Sequence, residues 1–118
     1  LVEVERMGAL LARHGDAFLA RVFSEREREL LAPDRGAARI QRIAARFAAK
    51  EAALKALGCG WGQGVGWRDV EILGGRGGPP TLELSGSAAE RLANLGATRA
   101  LVSLTHTDGL AGATVLLD

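Results

Sequence analysis

The chain carries one cysteine, Cys59, in 118 residues. A single thiol cannot close an internal disulfide, and no cysteine cluster with zinc-ligand spacing exists. That usage fits a reducing compartment, so a cytoplasmic setting is expected. No apolar run reaches the roughly 20 residues of a membrane-crossing helix, which argues against membrane insertion. No basic, apolar and cleavable secretory segment opens the sequence. Long basic tracts are missing too, and the formal net charge is only +1. A nucleic-acid binder would usually show a basic patch or stripe, so none is expected as a partner. Internal repeats, low-complexity tracts and domain boundaries are also absent.

What is present describes a globular domain. Apolar residues make up 47% and charged residues 25%, an ordinary folded composition. The length suits one domain spanning 1–118. Such a chain buries a small core, so a deep substrate site would need a second subunit. Charge is divided unevenly. Residues 1–55 hold 11 Lys/Arg against 8 Asp/Glu, and residues 56–118 hold 4 against 6. An anion site would therefore draw its cations from the first half. The sequence begins inside the alternating segment "LVEVERM" without an initiator Met, so further residues of a first strand are expected before Leu1.

Local patterns place the elements. "LVEV" alternates like the end of a strand. A helix is expected over 5–14 with Gly15 as its stop, then a short helix in "DAFLARVF" capped by Asp16. "SERERELL" carries Ser24 and Glu27 at capping-box spacing, and Pro33 and Gly36 mark a break. The long segment from Arg39 to Leu57 repeats Ile40, Ile43, Ala44, Phe47 and Leu54 at helical spacing, free of Gly and Pro. Gly58 and Gly60 then end it. "GWGQGVGW" reads as a loop. "RDVEIL" and "TLEL" around "GGRGGPP" read as a hairpin. Ser87 and Glu90 suggest a second capping box, opening a helix to Leu95. "RALVSLTHT" and "LAGATVLL" read as strands joined near Asp108 and Gly109. The fold class is α+β, a long helix packed against a mostly antiparallel sheet.

One residue disturbs the long helix. Glu51 follows Phe47 by four positions and Ala44 by seven, so it continues the stripe that should face the core. A buried carboxylate is costly unless it is paired or holds a metal. Three readings stand: an ion pair with Lys55 at i+4, a metal or phosphate site that also uses Lys50, and a general base without metal. Mg²⁺ needs only one or two protein carboxylates when phosphate oxygens and waters complete its shell. Glu3 and Glu5 are weaker ligand candidates and suit a surface. In "VSLTH", Ser103 and Thr105 share one strand face, opposite Val102, Leu104 and His106. His106 suits proton transfer or a phosphate contact, whereas His14 reads as surface. Ser103 has no nucleophile-elbow context, so a serine hydrolase is a poor reading.

These stretches together resemble the holo-acyl-carrier-protein synthase family, the small 4'-phosphopantetheinyl transferases. The family helix motif F-A-x-K-E-A-x-x-K-A-L-G-x-G appears in full as "FAAKEAALKALGCG", Phe47 to Gly60. The motif S-x-[ST]-H-[ST] appears as "SLTHT", Ser103 to Thr107. "FSERE", Phe23 to Glu27, matches F-[ST]-x-x-E. The N-terminal motif G-x-D-[IL]-x-x-x-x-R is entered at Leu1 and reaches Arg6. The resemblance covers essentially the whole chain, in order.

It implies a 4'-phosphopantetheinyl transferase-like fold and transfer of 4'-phosphopantetheine from coenzyme A to a serine of apo-acyl carrier protein, releasing adenosine 3',5'-bisphosphate. It implies Glu51 as a Mg²⁺ ligand, with the partner carboxylate immediately before Leu1. Lys55 would face phosphate, Lys50 would lie near coenzyme A, and Arg6 near coenzyme A or the carrier protein. His106 would approach the nucleotide phosphates, with Ser103 and Thr105 shaping that wall. Gly60, Gly62 and Gly64 would let the loop approach the nucleotide, while Phe47 and Leu54 belong to the core. A homotrimer with interfacial active sites follows, as does a positive surface for the acidic carrier, including Arg13, Arg21 and Arg28. The chain departs from the family in "GGP" at Gly77 to Pro79, which lacks a lysine at Gly78, and in Leu110, where a tyrosine is common. A catalytically impaired coenzyme A- or carrier-binding homologue is the alternative.

Overall fold

The computed structural model describes residues 1–59 and 65–118. The elements run β1 (Val2–Glu3), α1 (Val4–Val22), α2 (Glu25–Leu31), α3 (Gly36–Ala56), a single 3-10 turn at Trp67–Asp69, β2 (Val70–Gly74), β3 (Pro80–Leu84), α4 (Gly86–Asn94), β4 (Ala100–His106) and β5 (Leu110–Leu117). Two antiparallel sheets form, one of three strands in the order β1-β5-β4 and one the hairpin β2-β3. The α+β expectation holds, with the sheet divided in two. No helix among the described residues is long and apolar enough to cross a membrane.

The two helices expected before Ser24 form one element with a kink. His14 leaves helical geometry (φ −135°, ψ 22°), where His14-Gly15-Asp16 offers poor helix formers. The Ser24 capping box forms in full: Ser24 Oγ accepts from Glu27 N, and Glu27 Oε1 accepts from Ser24 N. The second expected box does not. Ser85 occupies the N-cap of α4, and Ser87 Oγ instead donates to Asp69 Oδ2 at 2.9 Å. Ser87 lies inside the helix, so its hydroxyl serves a tertiary contact.

Helix α3 is the spine. Its N-terminal half packs Ile43, Ala44 and Ala45 with Met7, Val22, Phe23 and Leu31. Its C-terminal half packs Ala49, Ala53 and Leu54 with Val70, Ile72 and Ala88. The alanines keep this helix narrow enough to seat both sheets. The β2–β3 turn presses on it. Arg46 Nη2 donates to Gly74 O at 3.0 Å, and a Cβ at Gly75 (φ +90°) would lie 2.7 Å from the same nitrogen. The positive φ is what favours glycine there.

Candidate active site

An open pocket of about 460 Å³ lies between β1, the start of α1 and the middle of α3. Phe47 and Glu51, one helical turn apart on α3, line it from one side. Glu3, Arg6, Met7 and Leu10 line it from α1 and its N-cap, with Leu1 and Val2 at the strand. The spacing is helical on both sides, so two neighbouring faces supply the walls. Two carboxylates and a guanidinium thus share an apolar-floored concavity. Phe47 is half-buried rather than fully core. Its ring stacks on Trp67 at 5.3 Å between centroids and meets Phe18 at 5.6 Å, which fixes that wall.

Glu51 stands half-buried at the pocket edge, not inside the core. Lys55 is exposed, and among the described residues no ion pair joins it to Glu51. The i,i+4 ion-pair reading is therefore not what the fold adopts. No group of three or more His, Cys, Asp or Glu side chains fit to hold a metal forms among the described residues. A magnesium ion with one or two protein carboxylates does not need one. The donor set at this pocket, hard carboxylate oxygens open to water, has the chemistry Mg²⁺ prefers.

Lys50 goes elsewhere, which corrects its expected place beside the ligand. It is wholly buried, and its Nζ donates to Glu27 Oε1 at 2.7 Å and to Val70 O. Burial pulls its pKa down, and the Glu27 carboxylate opposes that fall. The residues give a reason: Lys50 is next to Ala49 and four before Leu54, on the most buried side of α3. Glu27, read as a capping residue and as the end of the "FSERE" segment, is equally buried. A lysine amid alanines on a buried face was the signal that a carboxylate must meet it.

Ser103, Thr105 and His106 are exposed on β4 and do not line the pocket. Val2 and His106 both pair with Ala111. They therefore lie in one row two strands apart, roughly 10 Å. One chain alone does not bring the "SLTH" wall to Glu51. Gly60, Gly62 and Gly64 lie outside the described residues. Behind the β2–β3 turn, Arg42 meets Asp34 at 3.0 Å and Arg76 meets it at 2.7 Å. Arg46 completes this basic corner, its pKa lowered to about 10 by burial and by Arg42.

The comparisons decide the family. The family model described as the 4'-phosphopantetheinyl transferase superfamily matches residues 1–111. The chain belongs to this superfamily. Among its relatives, the holo-[acyl-carrier-protein] synthase of Solibacter usitatus is 43% identical over 118 residues, covering 100% of this chain and 93% of that protein. That of Methylobacterium radiotolerans is 48% identical over 122 residues, covering 100% and 88%. Among solved structures, the Helicobacter pylori synthase in complex with coenzyme A aligns with a TM-score of 0.82 at 28% identity, covering 99% of this chain and 95% of that one. The Bacillus anthracis synthase in complex with coenzyme A (3',5'-ADP) aligns with a TM-score of 0.79 at 31% identity, covering 98% and 89%. The phosphopantetheinyl transferase fold thus extends over nearly the whole chain.

Proposed function

We propose that this chain is a holo-acyl-carrier-protein synthase that moves 4'-phosphopantetheine from coenzyme A to a serine of apo-acyl carrier protein, with Mg²⁺ at Glu51. One observation carries the site: the motif carboxylate Glu51 faces an open pocket beside Glu3 and Arg6. Two solved relatives of the same fold are described with coenzyme A, which supports that donor.

Glu51 would hold the metal in the pocket that it lines. Magnesium bound there would offset charge on the departing bisphosphate. The chain's own groups do the rest. Arg6 orients the diphosphate or the carrier from α1. Lys55, exposed one turn beyond Glu51, reaches phosphate oxygen. The carrier serine Oγ gives its proton to a Glu51 oxygen or to a water held beside it. Its new bond to the β-phosphorus forms as the P–O bond to adenosine 3',5'-bisphosphate breaks. Ser103, Thr105 and His106 supply a phosphate-facing wall, and Gly60 and Gly64 an approach to the nucleotide. The Arg42, Arg46 and Arg76 corner offers positive charge near the turn that lacks a lysine at Gly78.

Because the "SLTH" wall stands apart from Glu51 within one chain, the reading joins the two from different subunits of a homotrimer. The test is mass spectrometry of apo-acyl carrier protein incubated with this chain, coenzyme A and Mg²⁺. The carrier should gain one phosphopantetheine. Glu51→Gln should slow transfer by about 100-fold or more, the scale of losing one electrostatic stabiliser of the transition state. Coenzyme A binding without any transfer would support the impaired homologue instead.

A further inference from the structure

A buried ion pair stands on the residue before Glu51. The Glu27 and Lys50 side chains are both 0% exposed. As a source of stability such a pair is poor, because apolar residues of similar volume often serve as well. Its distinction is direction. Glu27 Oε1 accepts from Lys50 Nζ at 2.7 Å and from Ser24 N at 2.9 Å, and Glu27 Oε2 accepts from Ile72 N at 3.1 Å. Lys50 Nζ also donates to Val70 O and stands 5.3 Å from the Phe23 ring centroid. One pair therefore ties α2, α3 and β2 together.

The geometry makes this matter for the next residue. Consecutive helix positions lie about 100° apart, and a side-chain tip stands roughly 6 Å from the axis. A turn of α3 by about 20° would carry the Glu51 carboxylate about 2 Å along the pocket wall. Misplacement by about 1 Å can already cost on the order of 100-fold in rate. Such a turn would draw Lys50 Nζ away from Glu27 Oε1 and Val70 O and leave a buried charge unpaired, which is costly.

We propose that Glu27 and Lys50 are a positioning pair for Glu51, fixing the rotation of α3 and so the place of the carboxylate in the pocket. This rests on the reading of Glu51 as a metal ligand given above. Lys50→Met strands the Glu27 charge and should lower the melting temperature by on the order of 10 °C. Glu27→Gln/Lys50→Met removes both charges and should recover at least half of that loss. Positioning is still lost, so kcat should fall about 10-fold with KM for coenzyme A within about twofold. Affinity for Mn²⁺, titrated by electron paramagnetic resonance on the full chain with Glu51→Gln as reference, should fall about 10-fold, as when a metal ligand loses its orienting partner. A double variant with wild-type kcat and Mn²⁺ affinity overturns the proposal. Should that variant fail to fold, Glu27→Asp decides, since it keeps both charges but draws the carboxylate one methylene back from Lys50 Nζ. A kcat several-fold lower at unchanged KM supports the pair, and a wild-type kcat overturns it. If the wild-type chain transfers nothing, the functional reading fails by itself and the Mn²⁺ comparison alone decides the role of the pair.

Discussion

Glu71 sets an acid limit on the corner where α2 meets β2. Ser24 Oγ donates to its Oε2 at 2.6 Å, and Arg26 Nη2 meets its Oε1 at 2.9 Å. The Arg26 contact, first, and the Ser24 hydroxyl hold its pKa below the usual 4.5, against the opposing pull of burial. A carboxylate depressed in the fold gives stability that is present above its unfolded pKa and lost as pH falls through the folded one. Chemical denaturation between about pH 6 and pH 3 should therefore show the wild type losing stability as pH drops below the ordinary carboxylate range near 4.3. Glu71→Gln should flatten part of that acid limb and change little above about pH 6. An acid limb of unchanged slope would show that Glu71 contributes nothing to it. The contacts of Glu71 span more than 40 positions, to Ser24 and Arg26, and no local pattern announces them. Glu51 was legible because its neighbours on the stripe are apolar. Lys50 was not, because the carboxylate that explains it comes from another helix.

Elements were more legible than their joints. The expected helices and strands exist, with the first two helices joined in α1, and α3 differs mainly by starting at Gly36 rather than Arg39. Helical and strand periods read strongly over such lengths. The start of α4 shows where reading by spacing stops. Ser87 and Glu90 have the three-residue interval of a capping box, yet the helix begins two residues earlier, after Ser85. Gly86 at φ +50° opens it, and a Cβ there would lie 3.2 Å from Asp69 Oδ2. The tertiary partner Asp69 therefore sets the boundary. Urea unfolding should separate the two accounts. Ser87→Ala loses the bond to Asp69 and should cost about 1 kcal/mol. Glu90→Ala, exposed and outside any cap, should stay within about 0.5 kcal/mol of the wild type. Equal losses from both would restore the capping box.

At the scale of the whole molecule, the outer face of the three-stranded sheet is the open question that the single chain poses. Strands β4 and β5 turn Val102, Leu104, Ala113 and Val115 inward. Their other face keeps Leu101, Leu110 and Leu116 at 44%, 45% and 60% exposure, among Ser103, Thr105 and Thr114. Burying a leucine side chain stabilises by roughly 1.5–3 kcal/mol. Three on one sheet face are a substantial driving force for meeting another copy. The same face bears Ser103 and Thr105, so a neighbour seated on it would lie against those two residues of the "SLTH" wall, with His106 at the strand end on the other face. That is the arrangement needed to set this wall beside a Glu51 pocket it does not reach alone. Leu101→Asp/Leu116→Asp puts two charges where that contact would form, while both sites stay solvated in the separated chain. Multi-angle light scattering should then report a single-chain mass in place of the proposed trimer, with an unchanged circular dichroism spectrum. On the proposed interfacial site, transfer to the carrier should fall by about 10-fold or more. A folded monomer that transfers phosphopantetheine at the wild-type rate would place the complete site within one chain, and His106 would then have no part in it.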